Sequence, residues 1–161
     1  IQVRGPGVTP GYWHDPEATA AAFTKSGWFR TGDAGRMAND GTIYVVDRIK
    51  DMFISGGENV YPAEIEDVVA SLDDVGLCAV IGVPDERWGE AGLALVLPRA
   101  GRTVDATQVA DLCRERLAKY KVPRRVDIVD ALPLSPQGKV LKKELRRLYL
   151  EGGGARPLKI A

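Results

Sequence analysis

The apolar positions of this chain change their period along its length. From Pro62, Ile65, Val68, Val69 and Leu72 recur at i, i+3, i+4 and i+7, the buried face of a proline-opened helix. VGLCAVIGV (75–83) and AGLALVL (91–97) are almost unbroken apolar runs of strand length, separated by the polar loop PDERWGE. Asp105 followed by Gln108 has the spacing of a capping box, and the helix it opens puts Val109, Leu112, Cys113 and Leu117 on one side. RVDIVD (125–130) alternates and predicts a strand. LPLSPQGKV is a loop punctuated by proline, and Leu141, Leu145 and Leu148 then mark a last helix with a basic outer face. Upstream, MFIS (52–55) is a short strand broken by Gly56-Gly57. From 51 to 150 the order is β, α, β, β, α, β, loop, α. That predicts an α+β fold: a three-stranded sheet flanked by helices, with a short β-hairpin.

Residues 1–47 read differently. DPEATAAAF (15–23) is a short helix with Asp15 as N-cap and Pro16 in its first turn. GTIYVVD (41–47) is a strand entered through the turn NDG. The rest is glycine, proline and short apolar pieces, too little for an independent core. The opening IQVRGPG, without Met, is expected of a piece of a longer protein, and the tail EGGGARPLKIA (151–161) is expected to be flexible.

Composition narrows the function. The 161 residues carry 22 Lys+Arg against 22 Asp+Glu, so no global charge draws in nucleic acid or a membrane surface. Between Arg114 and Arg147, eleven basic residues face four acidic ones, a local excess of seven. Two readings stand for it, a solvated helix face or an anion site. No run approaches the ~18 apolar residues of a membrane span. Cys78 and Cys113 sit in apolar surroundings, and the single histidine, His14, supplies no metal-ligand spacing. Both cysteines read as reduced core thiols of a cytoplasmic protein.

Three short strings carry candidate chemistry. In RTGD, Asp33 follows a glycine turn; it is either a turn former or a carboxylate able to accept two hydrogen bonds, as from a ribose diol. Arg48 ends the 41–47 strand, either as a surface residue or as a donor to sugar or phosphate. SPQGK places Lys139 at the end of a glycine loop, where its cation could meet charge developing on a transferred acyl or phosphoryl group. The P-loop pattern is missing, so GK alone decides nothing. Glu64 and Glu66, in PAEIE, suit a helix N-terminus and read as structural.

Taken in order, GWFRTGDAG, VDRIKDMFISGGENVYPAEIE, GVPDERWGE and LPLSPQGKVLKKELR are specific. Over residues 3–149 the chain resembles the C-terminal portion of AMP-forming acyl-CoA synthetases. These belong to the adenylate-forming superfamily that also holds firefly luciferase and peptide-synthetase adenylation domains. The GGENVYP variant is most similar to the fatty-acid and aryl CoA ligases.

The resemblance implies a division. Residues 1–47 are the end of a large nucleotide- and acyl-binding domain, 48–50 a hinge, 51–150 a mobile C-terminal domain, and 151–161 a tail. It implies ATP with Mg2+ and CoA as substrates, no tightly bound cofactor, and a carboxylic, fatty acid joined first to AMP and then to CoA. Asp33 and Arg48 match nucleotide-binding positions, and Lys139 matches the catalytic adenylation lysine. Lys50 matches the hinge residue on which the small domain pivots. Gly56, Gly57, Trp88 and Gly89 match the pantetheine tunnel, where Trp88 as an ordinary core residue is the other reading. Arg114 and Arg124 are candidates for the CoA phosphates. The expected partners are these small molecules and the rest of the large domain, with no nucleic acid. Residues 1–47 are expected to be disordered or to pair with a second copy through their strand edges. The piece alone is expected to be inactive. Two further readings are an adenylation domain loading a carrier-protein pantetheine, and a CoA-binding module without catalysis.

Overall fold

The computed structural model describes residues 1–153. The chain divides into two units, Ile1–Lys50 and the remainder from Asp51. The expected flexible tail falls mostly in 154–161, outside the described residues.

In the first unit, β1 (Gln2–Val3) pairs antiparallel with β2 (Phe29–Arg30). Between them α1 (Pro16–Ala22) starts where expected: the Asp15 carboxylate accepts the Ala18 N–H at 2.8 Å and Pro16 occupies the first turn. β3 (Asp33–Met37) pairs antiparallel with β4 (Ile43–Arg48). The turn between them uses Gly41 at φ 86° and the Asp40 carboxylate, which accepts the Thr42 N–H. Sequence reasoning expected β4 alone in this region. β3 escaped because DAGRM holds a glycine, two charges and no alternation, and it exists only by pairing with β4. No residue of this unit is buried, and Met37, Ile43 and Val45 are exposed on its ribbon.

The second unit holds the core. β5 (Phe53–Ser55) and β6 (Glu58–Val60) form a hairpin through Gly56 and Gly57, at φ 62° and 89°. Two consecutive positive φ values make the tight primed turn that matches strand twist, a turn glycine adopts without strain. α2 (Pro62–Ala70) follows, then β7 (Val75–Asp85) and β8 (Gly89–Pro98) in a long antiparallel ladder. α3 (Ala106–Arg116) crosses over to β9 (Arg125–Ile128), which lies parallel to β8. α4 (Lys142–Glu151) closes the unit.

The expected three-stranded sheet is β7, β8 and β9, and the hairpin is stitched to it at Ser55 opposite Gly89, making five strands. β8 is central: β7 covers one edge, while β5 and then β9 cover the other. Both faces of β8 are buried, which is why its sequence is an unbroken apolar run rather than an alternation. Val80, Ala94 and Val96 pack with Ile65, Val69, Val109 and Cys113 of α2 and α3. Ala79, Ile81, Leu93 and Leu95 pack on the other face with Leu132, from the loop after β9, and Leu145 of α4.

Two details differ from expectation. The Asp105 carboxylate caps the Thr107 N–H, one position earlier than the capping-box pattern with Gln108. Leu141 precedes α4 and is 43% exposed; the inward face of α4 is Leu145 with Tyr149.

Candidate functional site

The sequence-derived residues fall in three places. The first is the β3–β4 ribbon. Its register sets Asp33 opposite Arg48, and their side chains form an ion pair at 2.9 Å. Gly32, at φ 78°, turns the chain into β3, and Thr31 Oγ1 accepts the Asp33 N–H at 3.1 Å. Arg48 also donates to the Thr31 carbonyl at 3.4 Å. The Asp33 side chain is 24% exposed and that of Arg48 55%. An ion pair that open contributes at most about 1 kcal/mol to stability, so its value lies in orientation. Gly32, Arg48 and Lys50, with Arg30 and Ile49, line a concavity of about 470 Å³. Lys50 follows the end of β4 and is exposed.

The second place is the β5–β6 turn. A Cβ added at Gly56 would lie 2.5 Å from Cε3 of Trp88, so the bare glycine is what lets the indole ring pack on the turn. The Gly56 N–H donates to the Trp88 carbonyl at 3.0 Å. The Trp88 loop is shaped by Asp85, whose carboxylate accepts the N–H of both Arg87 and Trp88 at 2.9 Å. The guanidinium of Arg124 stands 4.9 Å from the centre of the Trp88 ring and that of Arg87 5.1 Å. A Cβ at Gly57 or Gly89 would meet nothing within 4 Å. The structure thus brings Gly56, Gly57, Trp88, Gly89 and Arg124 together as an open glycine edge beside an indole ringed by cations. Trp88 is half-buried, not a core residue. Sequence reasoning missed Arg87, and also Glu90, whose carboxylate accepts the Ile54 N–H at 3.3 Å and ties the hairpin to β8. Their place in the string ERWGE, on either side of Trp88, was the available signal. Arg114 is not part of this group; it lies on α3 and pairs with Asp111 one turn back.

The third place is the loop before α4. Ser135 organises it: its N–H donates to the Lys139 carbonyl at 2.8 Å, its Oγ accepts the Lys139 N–H at 3.2 Å, and its carbonyl accepts the Gly138 N–H at 2.8 Å. Gly138 sits at φ 77°. Leu134 and Val140 bridge across the base. The exposed Lys139 side chain is therefore presented from a closed turn, with its cation free to meet an anion.

Apart from Asp40 in the β3–β4 turn, lowered by its hydrogen bonds with Thr42, groups whose titration is displaced lie elsewhere. Burial, helped by the Glu66 carboxylate, pushes the Cys78 thiol up to about 12. Lys121 is raised by its hydrogen bonds to Glu64, and Arg125 by its bonds to Asp127. These are structural ties: Lys121 Nζ meets both Glu64 oxygens at 2.7 Å. Among the described residues no group of three or more His, Cys, Asp or Glu is placed to hold a metal ion. No helix among them is long and apolar enough to cross a membrane.

A family profile described as AMP-binding enzyme C-terminal domain matches residues 64–139. A feruloyl-CoA synthase from Amycolatopsis is 51% identical over 149 residues, 92% of this chain and 30% of that protein. A 2-succinylbenzoate–CoA ligase from Geobacillus kaustophilus is 52% identical over 148 residues, again 92% of this chain and 30% of that protein. Among solved structures, o-succinylbenzoate CoA synthetase from Bacillus subtilis, in complex with its acyl-adenylate intermediate, superposes with TM-score 0.85 at 38% identity, over 99% of this chain and 31% of that one. ATP-bound MatB from Rhodopseudomonas palustris gives TM-score 0.82 at 42% identity, over 92% of this chain and 29% of that one. The chain spans about 30% of the length of the curated relatives it matches. The segment from Glu64 to Lys139, within the α+β unit, matches the AMP-binding enzyme C-terminal domain, and the relatives similar to the chain include acyl-CoA ligases.

Proposed function

We propose that the chain is the C-terminal part of an ATP-dependent acyl-CoA synthetase, an acid–thiol ligase. It would join a carboxylic acid to AMP and then pass the acyl group to CoA. The observation that carries this reading is identity of 51–52% over 92% of the chain to CoA ligases acting on quite different acids. We read the segment they share with this chain as activation and transfer machinery, which does not select the acid. Fatty acid was the substrate expected from the resemblance, and a long-chain-fatty-acid–CoA ligase of Mycobacterium tuberculosis is 51% identical over 138 residues. The aromatic acids named for the other relatives support the proposal equally, so the reading commits to the carboxylate and leaves its chain to assay.

The roles follow from chemistry. Asp33, already turned by Thr31 and Arg48, accepts the ribose hydroxyls of ATP or AMP. Arg48 holds that carboxylate in place and donates to the nucleotide. Lys139 sits between the acyl carboxylate and the α-phosphate, two anions that repel until a cation lies between them. Attack of the carboxylate on the α-phosphorus releases pyrophosphate. For the second step the unit from Asp51 turns about the 48–50 segment at Lys50, a hinge at the end of β4. The Gly56–Gly57 turn, Trp88 and Gly89 then line the pantetheine path. The CoA sulfur attacks the acyl carbon and AMP leaves. Arg124, and more remotely Arg114, are suited to the CoA phosphates. No residue here is assigned to Mg2+.

The test is made in the full-length protein, with ATP–pyrophosphate exchange and acyl-CoA formation measured over a panel of aromatic and aliphatic acids. Lys139→Ala is expected to lower exchange by about 10²-fold or more. Thioester formation from pre-made acyl-AMP is expected to survive. Full exchange in the variant would remove Lys139 from the mechanism. An amide bond synthetase from Marinactinospora thermotolerans shares the fold at TM-score 0.82, so CoA is offered beside an amine and a carrier-bound pantetheine. Product with either of those but not with CoA would overturn the thiol acceptor assigned here.

A further inference from the structure

The Lys139 turn is closed on itself, so something else must hold it to the sheet. Leu145 is buried against β7 and β8 and fixes α4 laterally. The first turn of α4 is held by charge. Lys142 Nζ, three residues beyond Lys139, meets Glu66 Oε1 at 2.7 Å, and the two side chains are 18% and 21% exposed. Glu66 projects from α2 and its Oε1 also accepts the Val80 N–H at 2.6 Å. Two residues along, the Gly82 carbonyl accepts a bond from Arg146 Nε at 3.2 Å.

Among the described residues β7 pairs only with β8, so its other edge offers backbone groups that need partners. Val80 and Gly82 have the same parity along the strand, and both present their polar groups to side chains rather than to a further strand. The Glu66 carboxylate and the Arg146 guanidinium thus join α2, the outer edge of β7 and α4 in one bonded chain. A helix-dipole role would need none of these bonds.

We propose that Glu66 is a positioning residue for adenylation, acting through Lys142 to fix the base of the Lys139 turn. This rests on the assignment of Lys139 given above. A lysine that must bridge two anions tolerates little displacement, because errors near 1 Å cost about 10²-fold in rate. A carboxylate that is both hydrogen-bonded to the sheet and paired with the first turn of α4 limits that displacement. The glycine turn and Trp88 are carried by other segments, so thioester transfer does not depend on this tie.

The experiment uses the full-length protein and measures the two half-reactions separately. Glu66→Gln keeps an oxygen for the Val80 N–H and removes the charge. Lys142→Met keeps the aliphatic stem and removes the cation. Lys142→Arg restores the pair. Glu66→Gln and Lys142→Met are each expected to lower kcat of ATP–pyrophosphate exchange by about tenfold, with KM for ATP moved less than about twofold. Thioester formation from pre-made acyl-AMP is expected to stay within about twofold, and it reports that the fold is intact. Lys142→Arg is expected to recover most of the exchange. Equal losses in both half-reactions would make the pair merely structural and overturn the proposal, as would unchanged exchange. Lys139→Ala is run alongside. If it retains exchange, the assignment of Lys139 fails and this proposal fails with it; if it loses exchange while Glu66→Gln does not, only the proposal fails.

Discussion

At the scale of single residues, the two turn glycines make different demands. Both have positive φ, so a side chain at either costs about 1–2 kcal/mol of backbone strain. At Gly57 that is the whole cost, because a Cβ there meets open space. At Gly56 the Cβ would overlap the Trp88 ring, itself held by a backbone bond and two guanidiniums. Gly56→Ala is therefore expected to lower stability by about 1–2 kcal/mol more than Gly57→Ala, measured by urea denaturation. Equal costs would mean that the ring does not rest on the turn. The glycine pair could be picked out of the sequence as the break in a short strand, and Trp88 through the family resemblance of GVPDERWGE. Glu66 could not. A glutamate in the first half of a helix satisfies the dipole rule, and nothing local reveals that it reaches Val80, 14 residues away, and Lys142, 76 residues away. Residue identity was legible; long-range partnership was not.

Elements were legible in proportion to how far their own burial shaped them. α2, β7, β8 and α3 lie within a few residues of their expected bounds because each carries a buried face with the right period. β3 and β6 are short, polar strands made by their neighbours, and no period marks them. α4 shows where a stripe misleads. Leu141, Leu145 and Leu148 have helical spacing, but Leu141 sits outside the helix as its N-cap and 43% exposed, while Leu145 is fully buried. Leu145→Ala removes the side chain that seats α4 on β7 and β8 and should cost about 2–5 kcal/mol. Leu141→Ala should cost about 1 kcal/mol or less, from the smaller apolar area it buries. Denaturant midpoints of the two variants decide it; similar losses would mean that α4 is seated by the stripe rather than by Leu145.

For the molecule as a whole, every buried apolar side chain among the described residues lies at or beyond Phe53, so the packed core is that of the second unit. The α+β layering of that unit was readable from the order of elements. The pairing of residues 1–50 was not, because no buried face imposes a period there. Stability of the core unit has a predictable alkaline limit. The Cys78 thiol ionises near 9.0 when unfolded and is pushed to about 12 in the fold, by burial first, then by the Glu66 carboxylate and Cys113, with Lys142 opposing. Below pH 9 both states hold the proton and the group contributes no pH dependence. Above it the unfolded chain sheds a proton that the folded chain retains, so the balance moves toward unfolding until the folded thiol ionises too. Lys121 acts in the same direction. Its folded value is raised above 10.5 by Glu64, so its contribution is complete below that pH and is lost as pH rises further. Stability should therefore be flat near neutrality and fall above pH 9, with Cys78 giving a slope of up to about 1.4 kcal/mol per pH unit. Cys113, also raised by burial, acts in the same direction, so Cys78→Ala should lessen rather than abolish the first part of that fall, and Lys121→Met should lessen the part above 10.5. Urea denaturation of the three proteins from pH 7 to 11 measures this directly. Parallel curves for the parent and Cys78→Ala would show that the thiol is solvated in the native state, contrary to its place beside Cys113 against the α2–α3 face of the sheet.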